Sequence, residues 1–260
     1  MMFTIALLVG VVNLLCFKSS EIPMLKFDVA KLNVITLITN VFKIYFSKGH
    51  INILFLVMQD SFSLQFPFIL ASNSPRRKEI LNQAGFQFSV LPSDVDESFP
   101  FDMKPQEVPV MLAERKAKAL LESCENALIL AADTVVILEG EILNKPLDKQ
   151  DALQMLKKLS GKTHEVVTGI ALASPQGIVT AADSAFVSFR ELANWEMEWY
   201  VRGGSSLDKA GAYGVQDFIG MAGIEQLDGS FYTVMGLPIY RVYELMKPFI
   251  LESKQIPLGI

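Results

Sequence analysis

The sequence is short of the residues behind the commonest catalytic and structural devices. It has two cysteines, Cys16 and Cys124, too distant to make a disulfide framework, so a reduced cytoplasmic setting is expected. It has two histidines, His50 and His164, which excludes a multi-histidine metal site within one chain. Neither lies beside a nucleophile motif, so nothing points to a histidine-activated nucleophile. Positive charge is scarce: 23 Lys and Arg face 28 Asp and Glu, a net charge of −5. A general nucleic-acid binder needs a basic face, so no nucleic-acid partner is expected. A small anionic ligand could still be held by a few local cations. Long apolar runs are also lacking. Phe3–Phe17, interrupted by Asn13, falls short of the roughly 18–20 residues that span a bilayer, and no stable membrane association is expected. A secretory signal needs Lys or Arg before the run and an A-x-A site after it, and both are missing.

What is present suits a packed enzyme-sized domain. Hydrophobic residues make up 51% and charged residues 20%, enough for a core and too apolar for disorder. The chain divides into an apolar leader over 1–66, a domain over 67–252 and a short tail over 253–260. Further apolar stretches in the leader, around Leu32–Phe46 and Ile51–Met58, lack caps and turn signals. Three readings of the leader stand: a start codon upstream of the real one, with Met58 as the start; a membrane-associating segment; or an ordered extension.

From Phe68 onward the pattern is α/β. FILAS and FQFSVLP read as short strands. ALILAADTVVILEGEILNKP reads as two strands about a turn at Glu139-Gly140-Glu141. The run from His164 to Phe189 alternates like a meander. Helices are predicted over Pro75–Ala84, Pro109–Ser123, Asp148–Leu159, Glu191–Val201 and Pro238–Phe249. The stretch between the last two reads as Gly-rich loop leading to FYTVMG.

Four segments carry charge where a fold alone has little use for it. In ASNSPRRKEILNQAG, Ser74 and Pro75 suit a helix start, yet Arg76 and Arg77 occupy the first turn, where the helix dipole is already positive. A phosphate would resolve that conflict; a solvated pair, or ion pairs with nearby acids, would also. In EVPVMLAERKAKALLESC, Leu112, Lys116 and Leu120 share one stripe, so Lys116 either snorkels or meets an anion. In LILAADTVVILEGEILNKP, an apolar strand carries Asp133 near its midpoint, with Thr134 beside it and Lys145 past the hairpin. That carboxylate would bind Mg²⁺, act as a general base, or mark a strand break. In SLDKAGAYGVQ, Gly211 and Gly214 admit close backbone approach, and Gln216 can both donate and accept; the bland alternative is an ordinary loop. Gly161-Lys162-Thr163 resembles the end of a P-loop, but Leu156 stands where that motif needs glycine. His164 is expected to be structural.

Taken together, LASNSPRRKEIL, AERKAKAL, AADTVVILEGEILNKP, LSGKTHEVVTG, LDKAGAYGVQ and VMGLP resemble the Maf family of nucleoside triphosphate pyrophosphatases, from about Phe68 to about Phe249. The resemblance implies an α/β fold of two lobes around an extended mixed sheet, similar to inosine triphosphate pyrophosphatases, with a central cleft for substrate. It implies a divalent metal (Mg²⁺ or Mn²⁺) and a homodimer. It assigns Asp133 as proton acceptor; the same carboxylate is expected to hold the metal, with Asp96 or Glu97 of DVDES to complete the site. Ser72, Arg76, Arg77, Lys116, Thr134, Lys145 and Gln216 become substrate-binding residues. Arg76, Thr134 and Gln216 match positions linked to base choice, and their identity resembles the dTTP/UTP branch. The expected reaction is water attack on the α-phosphorus with pyrophosphate leaving. Alternatives are a pyrophosphatase for modified purine triphosphates, or a nucleotide-binding regulator of septum formation.

Overall fold

The computed structural model describes residues 61–251 in full, together with the backbone of an earlier hairpin. The apolar run Phe3–Phe17, the candidate start at Met58 and the tail over 253–260 lie outside the described residues. Two units are distinguished, Met1–Gln59 and Asp60–Ile260. In the first, β1 (Phe42–Ser47) and β2 (His50–Phe55) pair antiparallel, with Ser47 opposite His50.

The second unit is a mixed α/β fold around a seven-stranded sheet. Its strands are β3 (Phe68–Leu70), β4 (Ser89–Val90), β5 (Leu128–Leu138), β6 (Glu141–Leu143), β7 (Thr163–Ser174), β8 (Gly177–Phe189) and β9 (Ile224–Asp228). The order is β4-β3-β5-β7-β8-β9, with β6 also on β5. The β4, β3 and β5 strands run parallel and the other pairings are antiparallel. The long β5 is covered on both faces, which is why it reads as almost unbroken apolar sequence. Only Asp133 and Thr134 within it are partly exposed. The β8 strand alternates exposed and more covered positions from Ala181 to Phe189, as a strand with one wet face does.

Among the described residues, seven α-helices pack around this sheet: α1 (Pro75–Gln83), α2 (Val108–Leu121), α3 (Lys149–Leu159), α4 (Asn194–Arg202), α5 (Phe218–Gly223), α6 (Phe231–Met235) and α7 (Ile239–Met246). The small residues Ala113 and Ala117 of α2 lie on Ala131, Ala171 and Ala173. Gly169 makes the approach closest: a Cβ there would sit 2.4 Å from the backbone of Pro109 and Val110. The other face carries α1 and α7, through Ile80, Leu81, Val242 and Met246 against Leu128, Leu130 and Ala132. α3 starts on Asp148, whose carboxylate accepts the Asp151 N–H, and ends with Lys157 and Lys158 at its negative pole.

Differences from the sequence reading are local. FQFSVLP contributes only the two residues of β4. The last helix stops at Met246 and continues as a 3₁₀ turn over Lys247–Phe249, because Pro248 has no N–H to give. The stretch read as Gly-rich loop holds α5 and β9, and FYTV begins α6. Ser74 stands at the start of α1 but its hydroxyl caps nothing; the Ser72 hydroxyl accepts the Ser74 N–H instead. No helix among the described residues is long and apolar enough to cross a membrane.

Candidate active site

The sheet has a notch along β5. β3 pairs with β5 only as far as Leu130, and β6 joins only from Val136. Residues 131–135 therefore border an open edge on that side. Successive residues of a strand point to opposite faces, so Asp133 looks toward α2 and Thr134 toward α1 and α6. At an open edge both can line a single cavity, and they do.

This cavity has a volume of about 670 Å³. It brings together Ser72, Arg76, Arg77, Glu97, Lys116, Asp133, Thr134, Lys145 and Gln216. Asp208 and Lys209 line it as well. Five cations thus face three carboxylates, an excess of positive charge inside a protein whose net charge is −5.

The Lys116 ammonium does not snorkel. It lies 2.6 Å from Asp133 Oδ1 and 2.7 Å from Glu97 Oε1, and its side chain is nearly buried. The α2 stripe that seemed to waste a lysine delivers it between two carboxylates. The hydrogen bond from Lys116 holds the Glu97 pKa below the usual carboxylate range, against the opposing effect of burial. Asp133 Oδ2 bonds no protein group among the described residues.

The two arginines at the start of α1 play different parts. Arg77 is spent on the framework: its Nε donates to the Gly236 carbonyl at 2.8 Å, its Nη1 to Ser72 Oγ at 3.3 Å and its Nη2 to Thr134 Oγ1 at 3.2 Å. Burial lowers its pKa, and the Asp133 carboxylate works in the opposite direction. Ser72 Oγ accepts from Arg77 and from the Ser74 N–H, so its own proton is left to donate into the cavity. Arg76 pairs with Asp208 at 2.8 Å, across 132 positions of sequence. Burial opposes ionisation of Asp208, but hydrogen bonds from Lys209 and Arg76 outweigh it and keep its pKa low. Lys145 has no ion-pair partner among the described residues. Gln216 Oε1 is buried without a hydrogen-bond partner.

Residues 67–249 match the Maf-like protein family. The chain belongs to this family. Among curated relatives, a dTTP/UTP pyrophosphatase of Aquifex aeolicus is 46% identical over 179 residues, which is 69% of this chain and 93% of that protein. The dTTP/UTP pyrophosphatase of Halalkalibacterium halodurans is 43% identical over 181 residues, 70% of this chain and 95% of its own length. That of Phocaeicola vulgatus is 42% identical over 186 residues, 70% of this chain and 96% of its own. For this Maf-family chain, the match covers every residue of the cavity.

Two residues weighed from the sequence lie elsewhere. Asp96 is exposed outside the cavity and bonds Ser98, whose hydroxyl and N–H lower its pKa. His164 is buried, 2.7 Å from the Tyr213 hydroxyl and stacked on Phe189. Burial drives its pKa down to about 4, so it is a neutral core residue. No group of three or more His, Cys, Asp or Glu among the described residues could enclose a metal by itself. Mg²⁺ arriving with a triphosphate needs only one or two protein carboxylates, the rest being phosphate oxygens and water. Asp133 and Glu97, converging on one ammonium, fit that smaller demand.

Proposed function

We propose that this protein is a nucleoside triphosphate pyrophosphatase that hydrolyses dTTP and UTP to the monophosphate and pyrophosphate. The observation that carries the reading is the Glu97–Lys116–Asp133 triad at the strand notch, ringed by Arg76, Arg77 and Lys145. A binding module for nucleotides would use the cations alone. A carboxylate with one oxygen anchored and the other free, set amid those cations, is what water activation requires.

Asp133 Oδ1 is fixed by Lys116, which leaves Oδ2 to orient a water and take its proton as the water attacks the α-phosphorus. The bond between the α-phosphorus and the bridging oxygen breaks, and pyrophosphate leaves. Lys145, Arg76 and the Ser72 hydroxyl bind the phosphate oxygens and offset their charge. Arg77 holds Ser72, Thr134 and Gly236 in register along the wall of the cavity. Phosphoryl transfer asks mainly for positioning and charge stabilisation, so no covalent nucleophile is needed. Asp133 and Glu97 would hold a divalent cation (Mg²⁺ or Mn²⁺), which when bound supplies further neutralisation of the phosphate charge. The Gln216 carbonyl, buried and unpartnered, suits an N–H of the base. The wider proposal has two α/β lobes meeting at this cleft, similar to inosine triphosphate pyrophosphatases, in a cytoplasmic homodimer.

A nucleotide panel with divalent metal tests the reading. Pyrophosphate and monophosphate should appear first from dTTP and UTP. Binding without turnover would favour a regulator, preference for modified purine triphosphates would move the substrate class, and orthophosphate as the product would refute attack at the α-phosphorus.

A further inference from the structure

Behind the cavity, outside its lining, lies Thr168. It sits on β7 directly opposite Thr134 of β5 and is fully buried. Its Oγ1 is 2.8 Å from the Thr233 carbonyl and 2.9 Å from Thr134 Oγ1. A carbonyl oxygen only accepts, so the single proton of Thr168 goes to Thr233. The proton shared between the two threonines is therefore that of Thr134. Arg77 Nη2 donates into the same Thr134 oxygen. Thr134 thus has its proton turned away from the cavity, one lone pair occupied by Arg77 and one lone pair left.

The acceptor that fixes this order is itself held. Thr233 Oγ1 donates to Asp183 at 2.5 Å, and Arg241 lies 3.5 Å from the same carboxylate. The Thr233 carbonyl is not free to turn away and release the Thr168 proton.

We propose that Thr168 is a positioning residue that makes Thr134 an acceptor, never a donor, toward the cavity, so that this point selects a ligand presenting N–H or O–H. The inference rests on the nucleotide reading above. An anionic phosphate oxygen meets only a lone pair there and is disfavoured. What fits is a neutral donor, and on UTP that means the imide N–H of the base or a sugar hydroxyl. CTP has a bare ring nitrogen, an acceptor, where UTP has the imide N–H. If Thr168 loses its hydroxyl, the Thr134 proton loses its partner behind the strand and turns into the cavity. Thr134 can then donate as well as accept, and the selection is lost.

The test compares kcat/KM for UTP, CTP and the 2′- and 3′-deoxy analogues of UTP in wild type, Thr168→Val and Thr168→Ser. Thr168→Val should shrink a substrate preference by about tenfold, the worth of one well-made hydrogen bond, and Thr168→Ser should restore it. A fall in the UTP:CTP ratio assigns the donor to the base; a fall against one deoxy analogue assigns it to that sugar hydroxyl. A merely structural Thr168 would lower all substrates together and leave every ratio unchanged, and that result overturns the proposal. So does failure of serine to restore the ratio. If Thr168→Val does not fold, Thr134→Val leaves the Thr168–Thr233 bond in place and must lose the same preference; an unchanged ratio there is equally fatal. Wild-type turnover of UTP reports on the activity itself, and the ratios report on Thr168, so the two failures are distinct.

Discussion

At the scale of single residues, Asp133 bears the heaviest demand of the proposed reaction. Asp133→Asn keeps the size of the side chain and its contact with Lys116 but gives up the proposed base. Turnover should fall by roughly 10²–10⁴-fold, while nucleotide binding and melting temperature change little; near-normal turnover in the folded variant would remove Asp133 from the chemistry. His164 makes a separate, structural prediction. Its pKa in the folded state is about 4, below the ordinary 6.5, because it is buried. The unfolded chain then binds more protons between those values, so stability drops as pH falls from 6.5 toward 4 and levels off below. The slope from this group approaches about 1.4 kcal/mol per pH unit. Thermal melts across that range should show it, and His164→Gln, which keeps a polar partner for Tyr213, should flatten it. Much of the site could be read from residue types alone: a carboxylate inside an apolar strand and a lysine on an apolar stripe each break a local rule. Asp208 as partner to Arg76, and Thr168 beneath Thr134, could not, because those contacts join distant segments and break no local rule.

At the scale of elements, the approach of α2 to the sheet sets the triad. Lys116 reaches Asp133 because α2 lies close over β5 and β7, and Gly169, opposite Asp133 in the register, leaves the room. Gly169→Ala would place a Cβ 2.4 Å from the backbone at Pro109 and Val110, which no side-chain rotation can relieve. Overpacking of this kind costs about 1–3 kcal/mol. The melting temperature should fall, and turnover should fall further than the lost stability explains, because the start of α2 is pushed off the strand that carries Asp133. Equal folding and turnover to wild type would show that the approach is not needed. Helical periodicity revealed α1 to α4 to within a few residues. The short α5, β9 and α6 were hidden in a Gly-rich stretch, because β9 takes its register from β8 and helices of six and five residues are too short to show a period.

At the scale of the whole molecule, an acidic protein keeps a cation-rich recess, and every side chain of that recess lies in the unit Asp60–Ile260. The fold class was visible in the alternation of strand and helix signals. The notch was not, because it is the space left where β3 ends and β6 has yet to begin, and no residue pattern encodes such a gap. It also gives the ligand a second task. The Leu130 carbonyl points toward β3, so by alternation the Thr134 backbone faces the notch while the Asp133 backbone faces β7. On the proposed function, a nucleotide seated there would stand in for the missing strand and tie together two stretches of sheet that are joined through β5. In deuterated solvent, the Thr134 amide should exchange quickly in the free protein and slow sharply when nucleotide is added, while its neighbour Asp133 remains protected throughout. Under that proposal the substrate would act as a transient part of the sheet, and the free protein is a fold with one segment left for its ligand to complete.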